Sequence, residues 1–133
     1  MNSGKLCFVV NDLEFFLSHR MDLARALSSR YQIHLICNLK NASEENFKVF
    51  HQNNFEIHNI DSRNKFKFFF GYILYIANLK RILDDIKPNY ILFVTLELSF
   101  IGAILHHFIK TNKSLFLITG LGPFFYKKKF KYQ

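Results

Sequence analysis

Cysteine, proline and tryptophan are nearly missing from this 133-residue chain, which has two, two and none of them. Cys7 and Cys37 each sit inside an apolar run, and the only apolar stretch near the start, Leu6 to Val10, is too short for a secretory signal. Both are therefore expected to be reduced core residues of a cytoplasmic protein, with neither a disulfide nor a metal between them. On that reading the sequons Asn41-Ala42-Ser43 and Asn112-Lys113-Ser114 carry no glycan.

Long hydrophobic runs are lacking too. Phe68 to Ala77 is about ten residues, and Tyr90 to Leu105 is interrupted by Thr95, Glu97 and Ser99, both short of the roughly 20 apolar residues of a membrane span. There is no GxGxxG fingerprint, Walker loop, nucleophile elbow or CxxC pair. A nicotinamide or flavin is thereby disfavoured, and no cofactor is expected. His106 and His107 are adjacent, so a helix turns them about 100 degrees apart, which is wrong for a metal-binding pair; no metal site is expected. Acidic residues number ten against eighteen basic ones, a net charge of +8, but four of the lysines fall in the last seven residues. The basic excess is half a property of the tail, and nucleic acid is not an expected partner.

What is present is core-forming material. Half of the residues are apolar, which excludes disorder as the overall state, and the length suits one domain. Lys5 to Val10 is a continuous apolar run ending at the turn pair Asn11-Asp12, as expected of a strand buried on both faces. Helical spacing follows from about Phe16 to Ser29, then strand character from Tyr31 to Cys37. Ser43-Glu44-Glu45 offers a capped start to a short helix, and Phe55 to Ile60 alternates as a strand. Phe66, Phe69, Phe70, Ile73, Ile76, Ala77 and Leu83 step by three or four, predicting one helix from about Asn64 to Lys87 that Pro88 stops. Tyr90 to Thr95 reads as a strand, Ser99 to Lys110 as a helix and Ser114 to Ile118 as a last strand.

Strands alternating with helices run parallel, which predicts an α/β fold: a doubly wound, Rossmann-like sheet of about five strands in a single domain. The domain is expected over residues 1–122, followed by a basic aromatic tail at 123–133. Such a sheet binds ligands beyond the carboxyl ends of its strands. Those ends are Asn11 to Ser18, Asn38 to Ala42, Asp61 to Asn64, Thr95 to Leu98 and Thr119 to Gly122.

Three of these loops carry candidate residues. Asn11, Asp12, Glu14, Ser18 and His19 suit sugar hydroxyls or an anion; alternatively Asn11 or Asp12 caps a helix and His19 is a solvated surface residue. Glu97, beside Thr95, is a lone carboxylate between apolar segments, open to a binding role or to simple stabilisation by a helix N-terminus. Thr119-Gly120-Leu121-Gly122 admits close approach of a ligand, or is a tight turn. The tail from Phe124 to Gln133 interleaves aromatics with lysines. That suits an anionic membrane surface, or equally a solubilising tail or an uncovered apolar segment.

Taken together, KLCFVVNDLEFFLSHRMDLARALSSRYQIHLICN at 5–38, KPNYILFVT at 87–95 and LFLITGLGPFF at 115–125 resemble the N-terminal domain of family 4 glycosyltransferases. These are two-Rossmann (GT-B) enzymes of bacterial surface polysaccharide assembly on lipid carriers. Ser18-His19-Arg20 ahead of Leu23-Ala24-Arg25-Ala26-Leu27, and Thr119 to Gly122, are the most specific parts. The resemblance implies a domain that faces the acceptor, lipid-linked or glycan, while a second Rossmann-like domain binds the nucleotide sugar. It implies that Asn11, Glu14 and His19 line the acceptor side, with Gly120 and Gly122 shaping the wall and His19 the candidate catalytic residue. Leu92, Phe93 and Glu97 stand where relatives carry histidine and then lysine, which argues against a basic phosphate pocket.

The chain stops just after its GLG segment, so the expectation is the acceptor half of a retaining-type transferase, inactive alone, cytoplasmic and peripheral on the inner membrane face. The rival expectation is a non-catalytic subunit or scaffold that docks a separate donor-domain partner at the membrane. A weaker third is a nucleotide-binding module of flavodoxin-like topology.

Overall fold

The computed structural model describes residues 4–61, 69–109 and 113–118. Each apolar run becomes a strand: β1 (Lys5–Asp12), β2 (Gln32–Asn38), β3 (Glu56–Asn59), β4 (Tyr90–Val94) and β5 (Lys113–Leu117). Between them lie α1 (Leu13–His19), α2 (Met21–Leu27), α3 (Glu44–His51), α4 (Phe69–Ile86) and α5 (Leu96–Leu105). The strands pair in parallel in the order β3-β2-β1-β4-β5. The α/β, Rossmann-like sheet expected from the sequence is the one that forms.

The continuity of the β1 run has a direct cause. Leu6, Phe8 and Val10 enter a core with Phe16, Ala24 and Phe50 of α1 to α3, while Cys7 and Val9 enter a second core with Leu79, Leu83 and Leu98 of α4 and α5. A strand covered on both faces has no polar alternation to show. Cys7 and Cys37 belong to these different cores on opposite faces, and both are free, buried thiols. Burial pushes the Cys37 thiol up to about 12, with Asp12 adding to it, and burial raises Cys7 as well.

The helices depart from expectation at their ends. One helix was expected over Phe16 to Ser29; two form, parted at Arg20 with φ −125°. The apolar spacing does not show the break: at 100° per residue the buried Leu13, Phe16, Met21 and Ala24 would all fall on one face, about 140° wide, of a single helix. α1 also starts earlier, capped by Asp12, whose Oδ1 accepts from the Phe15 amide at 2.7 Å. α3 keeps its predicted start in a reciprocal cap: Ser43 Oγ accepts from Asn46 N, and Asn46 Oδ1 accepts from Ser43 N. α4 ends before Pro88 as predicted; its expected start near Asn64 lies outside the described residues. α5 begins at Leu96 instead of Ser99, because Thr95 takes the cap position, and closes at Leu105, short of Lys110. Its backbone rests on β4: a Cβ added at Gly102 would stand 2.5 Å from the Phe93 ring.

From β1 the chain winds outward through β2 to β3, with α1 to α3 on one face. α4 then returns it to β4 beside β1, and α4 and α5 cover the other face. The winding direction reverses between β1 and β4. In open α/β sheets the crevice beyond the carboxyl ends of two such strands is where ligands are held.

Candidate functional site at the carboxyl ends of the strands

Polar residues close the carboxyl ends of four of the strands. β1 ends in Asn11-Asp12, β2 in Asn38 and β3 in Asn59, and Thr95 follows β4. Each of these ends is tied down. Asn38 Oδ1 accepts from Lys40 N at 2.9 Å, and Asn59 Oδ1 accepts from Leu39 N at 3.0 Å, so the β2 and β3 ends are cross-linked. Asn38 opens one of the loops picked out from the sequence, whereas Asn59, one residue before Ile60, lies outside the loop expected there, Asp61 to Asn64.

Thr95 is the exceptional backbone position of the rim. At φ 86°, ψ 157° it occupies a region that is close to glycine-only, costing of order 1–3 kcal/mol. Four bonds to three residues hold it there. Its amide donates to Leu117 O at 3.0 Å, its carbonyl accepts from Ser99 N at 3.0 Å and Ser99 Oγ at 2.7 Å, and its Oγ1 accepts from Leu98 N. Strain of this kind is retained where the surrounding structure fixes it, and such positions concentrate at functional sites.

Beside it, Glu97 lies exposed in the first turn of α5, a favourable place for a carboxylate. Tyr72 of α4 donates its hydroxyl to Glu97 Oε1 at 2.6 Å. Below this pair an open apolar groove of about 320 Å³ runs between α4 and α5, lined by Tyr72, Ile73, Ile76, Phe100, Ile101 and Ile104. Phe100 and Ile104 remain 67% and 52% exposed. Among the described residues no helix is long and apolar enough to cross a membrane.

Across the switch, Asn11 is half-buried at the end of β1, Asp12 caps α1 and Glu14 is exposed in its first turn. Ser18 and His19 are placed differently. They close α1, with His19 seven residues beyond Asp12, about 10 Å along the helix. The His19 ring stacks on Phe15 at 4.6 Å, and Nδ1 lies 2.7 Å from Ser18 Oγ and 3.3 Å from Phe15 O. Ser18 Oγ also lies 3.0 Å from Glu14 O and 3.2 Å from Phe15 O; in the neutral tautomer with its proton on Nδ1, the ring donates to Ser18 and leaves Nε2 as an acceptor. Thr119, Gly120 and Gly122 lie outside the described residues, as does the 123–133 tail.

A five-stranded parallel domain, reversed between its first and fourth strands and polar at their ends, defines the Rossmann-like class. Within that class, this chain belongs to the Glycosyl transferase 4-like family, whose model matches residues 5–133. No match was found among curated proteins or among solved structures.

Proposed function

We propose that this chain is the acceptor-side domain of a glycosyltransferase of surface polysaccharide or glycan assembly. The rim holds a lipid-linked or glycan acceptor, and a nucleotide sugar is presented by an opposing Rossmann-like lobe. Transfer needs both substrates in near-attack geometry, so this half alone is inactive. The observation that carries the reading is the continuity of a polar rim with an apolar groove: Glu97 belongs to both. Carboxylates and amides of Asn11, Glu14 and Glu97 suit sugar hydroxyls, while the α4–α5 groove suits a lipid chain. Thr95 fixes the course of the backbone between them, and His19 Nε2, with Ser18 behind its ring, is the acceptor for a hydroxyl proton. Thr119, Gly120 and Gly122 complete the wall in this proposal. The exposed apolar side of α4 and α5, with the lysine and aromatic tail, supports a peripheral position on an anionic inner membrane face.

Titration in detergent micelles tests it, using a polyprenyl-linked sugar in one arm and nucleotide sugars in the other. Saturable binding of the first and none of the second is expected, with Glu14→Gln and Glu97→Gln each weakening it about tenfold, since a hydrogen bond to a charged group contributes about 1.5–3 kcal/mol. Nucleotide-sugar binding without acceptor binding would overturn the assignment. A separate subunit that co-purifies with this chain and restores transfer would favour the scaffold role.

A further inference from the structure

Far from the rim, the pairing of β2 with β3 brings together three metal-ligating side chains. The register sets His34 opposite Glu56 and Ile36 opposite His58. Glu56 and His58 are two apart on one strand and so share a face. His34 Nδ1 lies 3.1 Å from His58 Nε2 and 3.4 Å from Glu56 Oε2, and the three ligand atoms all fall within 4.8 Å of one another. Tetrahedral ligands at about 2.0–2.1 Å from a zinc ion stand about 3.3–3.4 Å apart, so the two distances from His34 Nδ1 are already close to the spacing that one shared ion imposes, and the third pair lies within 4.8 Å.

Other features fit the same reading. Gln32 Nε2 donates to Glu56 Oε1 at 2.9 Å, which orients the carboxylate and leaves Oε2 toward the imidazoles, as outer partners of metal ligands do. His34 is 3% exposed, His58 half-buried and Glu56 exposed, so the set is anchored on one side and open to solvent on the other. Burial holds both imidazoles below their ordinary range, in the neutral form that coordinates metal, with the Glu56 charge pulling the other way. Lys5 is the positive group felt at His34, and its ammonium is already donated to Ile86 O at 3.0 Å. A hydrogen bond between the two rings would satisfy one pair of atoms and leave the carboxylate at 3.4 Å; a cation satisfies all three.

We propose that His34, Glu56 and His58 form a site for a divalent transition-metal ion of the zinc type, which ties the edge strand β3 to β2. Three protein ligands leave the fourth corner of the tetrahedron to water, and the site lies away from the crevice. His34 stands four residues before the carboxyl end of β2, about 13 Å from the rim. Two imidazoles and one carboxylate select zinc, nickel, cobalt or copper over magnesium or calcium.

Equilibrium dialysis of the chain against Zn²⁺ is expected to give one tightly held ion per chain and a raised melting temperature. Co²⁺ in its place is expected to give the visible absorption of a low-coordinate nitrogen and oxygen site. Glu56→Gln, an exposed position that preserves the fold, and His58→Asn should each weaken Zn²⁺ binding at least about tenfold, since loss of an outer partner alone costs that much. The double variant His106→Asn/His107→Asn should bind as the parent does. Absence of stoichiometric Zn²⁺, or binding unchanged by Glu56→Gln with circular dichroism intact, would overturn the site.

Discussion

The two helical layers of this domain are built to different specifications. On the α1 to α3 side, Leu23 alone is an exposed large hydrophobic residue among those described. Eleven others lie on or beside α4, α5 and β5, including Phe70, Ile73, Phe100, Ile104, Phe108 and Phe116. The first layer is sealed by a chain of edge-on rings from Phe8 through Phe16 and Phe50 to Phe55, and closed at its starts by Asp12 and Ser43. The second is apolar inside and also exposes apolar side chains on α5 and the first half of α4, while Lys80 and Asp84 pair on the outside of the second half of α4. Exposed apolar side chains lining one groove, as Ile73, Phe100 and Ile104 do, mark an interaction surface. One layer serves the core; the other serves the core and something outside it.

The sharpest way to break this contrast is to truncate one aromatic in each layer. Phe50→Ala, at a fully buried ring, is expected to cost about 3–5 kcal/mol of stability in urea unfolding, whereas Phe100→Ser should stay within about 0.5 kcal/mol and lose lipid-linked acceptor. Comparable losses from both would erase the difference between the layers. Next in size, Gly102→Ala should cost about 1–3 kcal/mol, because the new methyl group meets the buried Phe93 ring; an unchanged melting temperature would mean that α5 is free to lift from β4.

At the seam between the layers, Thr95→Gly removes the strained φ for little loss of cap, while Thr95→Ala keeps the strain and loses the cap. The glycine variant should exceed the alanine variant by about 1–2 kcal/mol in the same assay, and the reverse order would dismiss the strain.

The smallest effect concerns the sheet edge. Burial, opposed by Glu56 and reinforced by His58 and Lys5, holds His34 below its ordinary value, so the folded state prefers the neutral ring. The unfolded chain takes up the proton first as pH falls below about 6.5, and stability present above that value is lost on the way down, at no more than about 1.4 kcal/mol per pH unit for one imidazole. Metal-free unfolding at pH 7.5 and 5.5 reads this, and Glu56→Gln should make the acid loss steeper by removing the opposing charge.

Much of the architecture was legible in the sequence because doubly covered strands announce themselves. KLCFVV and YILFV have no polar alternation, and Pro88 and Ser43 mark real helix boundaries. What escaped is what depends on partners in three dimensions. The break at Arg20 leaves no mark in the apolar spacing, which runs through it as one helical face. Thr95 reads as the end of a strand; its positive φ comes from the bonds to Leu117, Leu98 and Ser99. The meeting of His34 with Glu56 and His58 is set by strand register, which FEIHNI alone does not disclose. Asn11, Glu14, Thr95 and Glu97 do come to the two sides of one switch point, as the alternation implied, while His19 and Ser18 are carried two turns along α1.

Hydrogen–deuterium exchange of this chain with and without a polyprenyl-linked sugar, in micelles of the same detergent, tests the central claim most directly. Slowed exchange is expected from Asp12 to Phe16 and from Thr95 to Ile104, with the α2 and α3 surfaces unchanged. Protection confined to the α1 to α3 layer, or equal protection by empty micelles, would contradict a rim and groove that together hold the acceptor.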